Sequence, residues 1–377
     1  MSIGSLEMGS APEFALKPFR IRSLVIDVPL LVTLLAVMGI GFVVLYSAIG
    51  GSTGLIIRQG IRVFVAMMAF FVVAQIPPRV LRMWTPWMYF IGVGLLFLVL
   101  FRGTVGQGAQ RWLDLGFVRF QPSELLKLAV PMMVAWYMHE RRLPPTFPQL
   151  LIVFVIVAVP AVLIARQPDL GTSLLVVAAG GLAIMFAGIS VKMLSVFAVL
   201  GLSSAPVLWH FMREYQRARV MTFLNPESDP LGAGYNIIQS KIALGSGGLF
   251  GKGWLNGTQA HLEFLPERST DFIFAVMGEE FGLLGLLLLL ALYLVLVGRG
   301  LLIAVQAQET FTRLLAGSLT LTFFVYVFVN AGMVCGLLPI VGVPLPLVSA
   351  GGTSMVTLMA GFGMLAAIQG KRKLLAP

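Results

Sequence analysis

Charge is scarce in this chain. Only 11% of its 377 residues are Asp, Glu, Lys or Arg, where soluble domains carry about 25%. Acids are scarcer than bases: 16 Asp and Glu stand against 26 Lys and Arg, a formal net charge of +10. So little charge excludes an ordinary soluble enzyme. The single cysteine, Cys335, excludes an internal disulfide and reads as a small core residue in an apolar segment. His139, His210 and His261 show no metal-ligand spacing, and no Ser-His-Asp signature accompanies them. The Gly-rich stretch 245–257 is not a nucleotide loop. Gly251-Lys252 is followed by Gly253 instead of Ser or Thr, and Ser246 stands where Walker A needs Gly. It reads as a turn or a close backbone approach. No internal repeat is present.

What is there is apolar. Hydrophobic residues make up 58% of the chain and the mean hydropathy is +0.94. This composition predicts an all-α polytopic membrane protein. Ten apolar segments follow one another at roughly 25–48, 58–76, 82–101, 123–138, 149–165, 171–189, 191–210, 271–297, 312–337 and 347–369. The fourth and fifth are shorter than the ~20 residues a spanning helix needs. Residues 1–14 read as a cloning tag. Residues 15–377 read as one ten-helix domain with a large outer loop, 211–270, between helices 7 and 8. No cleavable signal peptide is recognised, so the first apolar segment is expected to direct insertion.

Loop charge orients the spans. With the N-terminus inside, half of the 26 Lys and Arg fall in short inner loops, among them Lys17, Arg20, Arg22, Arg79, Arg82, Arg141, Arg142 and Lys373. The short outer segments hold fewer. Both termini are therefore expected in the cytoplasm. The positive charge is then that of loops facing anionic lipid, not of a nucleic-acid binder. All motif-rich connections fall outside: 102–122, 166–171, 211–270 and 338–350.

The densest charge lies in 262–282, LEFLPERSTDFIFAVMGEEFG, where Glu263, Glu267, Arg268 and Asp271 run into an apolar helix that carries Glu279 and Glu280. Asp271 has two readings. It is a general base at the mouth of a span, where partial desolvation raises its pKa. Or it is a helix-start carboxylate, with Ser269 or Thr270 as cap. Glu279 and Glu280, deeper in the helix, read as structural. Glu124 and Lys127, three apart, share a helix face; they are a buried ion pair or two snorkelling side chains. Arg111, Arg217, Arg219, Lys241, Lys252 and Arg268 are outer-side cations that an anionic substrate would need, or solvated loop charge. Residues 235–244, YNIIQSKIAL, form an amphipathic or re-entrant helix with Ile237, Ile238 and Ile242 on one side. VGVPLPLVSAGGTS, 341–354, breaks its helix with Pro344, Pro346, Gly351 and Gly352 and suits a re-entrant segment. QPDLGT, 167–172, is a tight turn in which Asp169 caps the sixth span.

Together these blocks resemble the SEDS family of bacterial cell-wall proteins. The resemblance is carried by RWLDLGFVRFQPSELLKLA (111–129), QPDLGTSLL (167–175), YNIIQSKIALGSGGLFGKG (235–253), FLPERSTDFIFAVMGEEFG (264–282) and LPIVGVPLPLVSAGGTS (338–354). It covers the chain from about residue 17 and is nearest to the elongation branch, RodA. Ala350 departs from a frequent Tyr, and His261 from a more usual polar residue.

The resemblance implies a peptidoglycan glycosyltransferase that polymerises lipid II, a disaccharide-peptide on undecaprenyl pyrophosphate, during elongation and rod-shape maintenance. It implies Asp271 as the catalytic residue and Glu124–Lys127 as the family's buried pair. Arg111, Arg217, Arg219, Lys241, Arg268, Glu267, Ser349 and Gly351 are the expected substrate-binding residues. A divalent cation, Mg or Mn, is expected to assist, although no classical metal site is visible. The expected partners are a class B penicillin-binding protein, which crosslinks the strands, and other elongation-complex proteins. The expected location is the bacterial inner membrane, with the active site facing outward. The rival readings are a lipid II flippase and a non-catalytic scaffold.

Overall fold

The computed structural model describes residues 26–372 apart from 107, 108, 115, 117, 118, 213, 231–233 and 263. The tag at 1–14, the basic residues Lys17, Arg20, Arg22 and Lys373, and Glu263 lie outside the described residues. The fold is all-α apart from one small sheet. In chain order come α1 (Val28–Ala48), α2 (Thr53–Ala74), α3 (Pro78–Arg102), β1 (Thr104–Gly106), β2 (Ala109–Asp114), β3 (Arg119–Phe120), α4 (Pro122–Met138), α5 (Phe147–Arg166), α6 (Leu170–Phe186) and α7 (Val191–Phe211). Then follow α8 (Glu214–Leu224), a 3-10 turn, α9 (Tyr235–Ser246), α10 (Thr258–His261), α11 (Ile273–Gln306), α12 (Thr310–Val334) and α13 (Thr353–Arg372).

Each of the ten apolar segments carries a helix: α1–α7 and α11–α13. Among the described residues, α1, α2, α3, α5, α11, α12 and α13 are long and apolar enough to cross a membrane, so the chain is a multi-pass membrane protein. The fourth segment is short, as expected, at 17 residues. The fifth, also expected to be short, is a 20-residue helix, because Thr146 and Gln149 extend it as a reciprocal capping box.

Local signals set the ends of the spans. Asp27 caps α1 by accepting from Leu30 N at 3.0 Å. The same carboxylate binds Arg299 of α11 in a two-pronged pair, Nη2 to Oδ2 at 2.6 Å, fastening the first span to the eighth. Small residues bring helices together, as membrane packing requires. Gly363 of α13 lies against the backbone of Phe70 in α2, and Gly317 of α12 against the ring of Phe186 in α6.

Three stretches differ from the sequence reading. Segment 102–122 is not plain loop: β1, β2 and β3 form an antiparallel three-stranded sheet at the last turn of α3 and the first turn of α4. Helix α11 runs to Gln306 and is broken at Gly282 (φ 63°, ψ −164°) into a buried first part and a long spanning part. Helix α9 exists, but its buried stripe is Ile237, Ser240 and Ala243, while Ile242 is 45% exposed. The small side chains explain the rotation. Ser240 Oγ sits 3.0 Å from Val334 O at the end of α12, a fit that a larger residue would prevent.

The Gly-rich stretch 245–257 locks onto the first part of α11. Lys252 N donates to Glu279 O at 2.9 Å and Gly253 N to Glu280 O at 3.0 Å. Glu279, fully buried, accepts from Lys252 Nζ (2.6 Å), Thr258 Oγ1 (2.9 Å) and Gln259 N (3.1 Å). Glu280 accepts from Ser47 of α1. Both glutamates therefore have the structural role expected of them, and Lys252 is engaged here as the ion-pair partner of Glu279. Gly251 has φ +80°, and a Cβ there would stand 2.1 Å from Glu280 O. Gly251→Ala should thus cost more stability than left-handed strain alone, which is about 1–3 kcal/mol, and so lower the thermal midpoint in detergent. Gly245→Ala, with open space around its Cβ position, should leave the midpoint unchanged.

Candidate active site

Two irregular segments meet beside α12 and define the site. The first is the turn 265–272 that enters α11. The second is 335–352, between α12 and α13. Asn330, buried in α12, ties them: its Nδ2 donates to Asp271 O (2.9 Å) and to Val343 O (2.7 Å). Ser349 Oγ donates to Thr270 O at 2.5 Å and accepts from Leu345 N at 2.8 Å. Ala350 N donates to Ser269 O at 2.8 Å. Residues 343–349 are mostly buried. They reach the middle of α1, where a Cβ on Gly41 would stand 2.8 Å from Val348 Cα, and Tyr293 Oη of α11 donates to Pro346 O at 2.6 Å. This is the re-entrant backbone that the prolines and glycines call for, with its peptide groups answered from within the protein.

Beside this clamp opens a cavity of about 810 Å³. Its wall gathers four cations, Arg62, Arg111, Lys127 and Arg219, and four carboxylates, Glu124, Asp169, Glu267 and Asp271. Of the sequence-predicted residues, the structure brings Asp271, Glu124, Lys127, Arg111, Arg219, Glu267 and Gly351 to this one cavity. Four others lie off its wall. Arg217 donates to Trp209 O and His210 O and braces the α7–α8 joint. Lys241 packs its methylenes against Gly336 at the end of α12. Ser349 is buried in the clamp. Arg268 follows Glu267 in the entry turn without reaching the wall.

Asp271 does not cap α11. The helix begins at Ile273 with Phe272 as N-cap, and no side chain caps it. Of the two cap candidates, Ser269 and Thr270, neither caps the helix, and Thr270 Oγ1 donates instead to Glu267 Oε2 at 2.8 Å. The Asp271 carboxylate accepts no hydrogen bond from any described residue; its Oδ2 lies in the cavity facing Gly342, 3.6 Å from the position a Cβ would take there. Burial, then the nearby Glu267 charge, push its pKa up to about 6, against the opposing pull of Arg219. A carboxyl group poised near neutrality, free of hydrogen bonds and facing a polar cavity, suits proton transfer better than capping.

Deeper in the same cavity Lys127 Nζ meets Glu124 Oε1 at 2.6 Å, with both side chains at 10% exposure or less. The pair reading holds over snorkelling. Lys127 also lies 5.3 Å from the centre of the Tyr326 ring. Glu124 Oε2 is buried without a partner. Arg111, on β2, donates to Pro168 O at 2.6 Å and approaches Asp169 Oδ2 at 3.8 Å. Asp169 caps α6 through Thr172 N (3.2 Å), as expected, and accepts from Gln121 Nε2 (3.2 Å). The small sheet thereby places Arg111 over the cavity.

Sequence reasoning missed two residues. Arg62 of α2 lines the cavity with no ion-pair partner among the described residues, and Gly352 leaves room for it, 3.6 Å from a would-be Cβ to Arg62 Nε. An arginine inside an apolar span was the available signal. Asn330 was missed because one polar residue in an apolar helix does not disclose its partners. Among the described residues, no three His, Cys, Asp or Glu side chains gather closely enough to hold a metal, so the donor set does not fit a dedicated divalent-cation site.

Residues 24–374 match the family of FtsW, RodA and SpoVE, described as "Cell cycle protein". The chain is 53% identical over 352 residues to the peptidoglycan glycosyltransferase MrdB of Escherichia coli K12, covering 93% of this chain and 95% of that one. It is 35% identical to the protein of the same name from Helicobacter pylori 26695, covering 92% and 89%. Among solved structures it resembles a chain of a peptidoglycan synthase complex in which polymerisation and crosslinking are coordinated (TM-score 0.81, 30% identity, 92% of this chain and 98% of that one). It also resembles the rod shape determining protein RodA of Thermus thermophilus (TM-score 0.70, 27% identity, 92% and 97%). The chain belongs to the SEDS family of FtsW, RodA and SpoVE, on its RodA side.

Proposed function

We propose that the cavity is the polymerisation site of a peptidoglycan glycosyltransferase that extends glycan strands from lipid II. The carrying observation is that Asp271, free of capping duty, faces the same cavity as four cations. In this reading Asp271 takes the proton from the 4-hydroxyl of the acceptor sugar. The hydroxyl oxygen attacks the anomeric carbon of the growing strand, and the bond to the lipid pyrophosphate breaks. The pyrophosphate leaves with its negative charge, which the wall cations Arg62, Arg219 and Arg111 meet. Arg62 alone of the four has no hydrogen-bond or ion-pair partner among the described residues, so it is the most available to a phosphate. The cations supply the charge balance, and no step is assigned to a metal.

The donor is already activated and lipid-borne, so the site suits the outer face of a bacterial inner membrane, with both termini in the cytoplasm. A class B penicillin-binding protein is the proposed crosslinking partner, within a complex of elongation proteins. The support is the basic charge of the inner loops, and the likeness to a chain from a synthase complex that couples the two activities.

Purified protein with such a partner and lipid II in detergent should make polymer; no polymer there would refute the reading. Asp271→Asn should lower the rate by about 100-fold or more, the usual contribution of a general base, with the thermal midpoint unchanged. A base must be ionised to act, so the rate should fall as pH drops through about 6. Glu267→Gln removes a like charge and should shift that acid limb to lower pH. Arg219→Gln removes an opposite charge and should shift it to higher pH. Single-turnover rates across pH 4.5–8 would read both shifts.

Lys127→Ala should cost about 3–5 kcal/mol by stranding Glu124 as a buried charge. Lys127→Met with Glu124→Gln removes both charges and should recover most of that stability. If the pair shapes the cavity for substrate, the double variant stays inactive although folded; thermal melts beside polymer assays separate the two effects.

A further inference from the structure

At the opposite end of the bundle lies a second cleft, of about 600 Å³. Its walls are the first turns of α3, with Arg79 and Arg82, and the end of α4, with Trp136, Tyr137, His139 and Arg141. About 20 Å of helix separates Tyr137 from Glu124 in the catalytic cavity. The cleft has one acid, Glu140, whose side chain is 84% exposed and engages His139 Nε2 at 3.2 Å. Arg79 and Arg82 make no hydrogen bond or ion pair with any described residue, although Arg82 is half-buried. The hydroxyl of Tyr137 is buried with no hydrogen-bond partner among the described residues. Its ring carries the Arg141 guanidinium 4.1 Å from the centroid, and Arg141 Nε is anchored on Tyr137 O at 3.2 Å.

A half-buried cation, Arg82, and a buried hydroxyl, Tyr137, without partners are costly unless an anion completes them, and Arg79 is exposed beside them. The surroundings say which anion. Met83, Trp84 and Trp87 of α3 are 63%, 55% and 64% exposed beside the cleft, and such tryptophans sit at the membrane–water interface. The cleft is therefore at headgroup level, with apolar surface next to it where acyl chains would lie.

We propose that this cleft binds the phosphate of an anionic phospholipid headgroup, with Arg79 and Arg82 as cationic donors and the Tyr137 hydroxyl as a third donor. Basic pockets between spanning helices are suited to such headgroups. The lipid would join α3 to the end of α4, the helix that holds Glu124 and Lys127 at its other end. A free phosphate offers the same oxygens but nothing for the exposed tryptophans and Met83.

Native mass spectrometry of the full chain in detergent, titrated with cardiolipin, phosphatidylglycerol or phosphatidylcholine, tests this. The wild type should retain the two anionic lipids under activation that strips phosphatidylcholine. Arg79→Gln with Arg82→Gln should weaken that retention by at least about tenfold, as expected for two arginines at the membrane surface. Tyr137→Phe, which keeps the ring, should weaken it several-fold and covers the case in which the double variant does not fold. Arg58→Gln removes a cation from the start of α2, where Arg58 Nε binds its own helix at Gly54 O, and should change nothing. Undiminished retention by the double variant overturns the proposal. So does an equal loss in Arg58→Gln, which would reveal only diffuse surface charge. Displacement of the lipid by millimolar inorganic phosphate alone would assign the cleft to a free anion and overturn the lipid reading.

Discussion

Hydrocarbon offers neither hydrogen bonds nor counter-charges, so every ionised group and irregular peptide at membrane depth must be answered from inside the protein. That constraint organises this fold. Lys127 answers Glu124, Lys252 and Thr258 answer Glu279, and Arg299 answers Asp27 across two spans. The broken segment 335–352 reaches the middle of the bundle because Tyr293, Asn330 and Ser349 supply the donors and acceptors that its peptides lose by leaving a helix. The cavity exists because two such irregular segments are pinned side by side where regular helices would have closed the space.

The pinning also explains why Asp271 can be reactive. Its backbone carbonyl is held by Asn330 and its neighbour's by Ser349. The turn is fixed without using the Asp271 carboxylate, which is left to the cavity. In the bland alternative the carboxylate would have accepted α11 amides, and hydrogen bonds of that kind stabilise the ionised form and lower the pKa. Here burial and Glu267 act in the opposite direction. The wall holds as many carboxylates as cations, so it does not trap anions indiscriminately. Two of the cations are partly committed, Lys127 to Glu124 and Arg111 to Asp169. Arg62 and Arg219 make no ion pair among the described residues, although Arg219 Nη1 donates to Ile340 O at 3.4 Å; in the proposed reading these two are left for the pyrophosphate.

The spans were legible because composition and hydropathy report directly on burial in lipid; each of the ten apolar segments became a helix. The Glu124–Lys127 pair was legible from spacing, since residues three apart on a helix cannot avoid one another. The stripe of α9 was not. Side-chain hydrophobicity favoured Ile242, but closeness of approach favoured Ser240 and Ala243, and a sequence shows the first preference more plainly than the second. Arg217, Lys241 and Ser349 illustrate the complementary limit. Their chemistry suited a substrate, yet their partners are a helix joint, a glycine and a peptide carbonyl, which only the tertiary arrangement discloses.

The same geometry separates synthesis from transport. A carrier of a polar headgroup needs polar side chains through the full membrane depth in at least one arrangement. Here the polar cavity ends at Glu124, Lys127 and Tyr326. Beyond them the space between α4, α12 and α13 narrows and is lined mainly by Leu319, Phe323, Phe362 and Leu365. All four are buried, and the ring of Phe323 is in contact with that of Phe362 at 5.0 Å and with that of Tyr293 at 5.7 Å. Opening a polar path there would mean parting an aromatic cluster to expose apolar faces, not exchanging one set of polar contacts for another. A closed apolar floor is what a synthase requires, because it keeps a charged pyrophosphate at one face while its lipid remains in the bilayer.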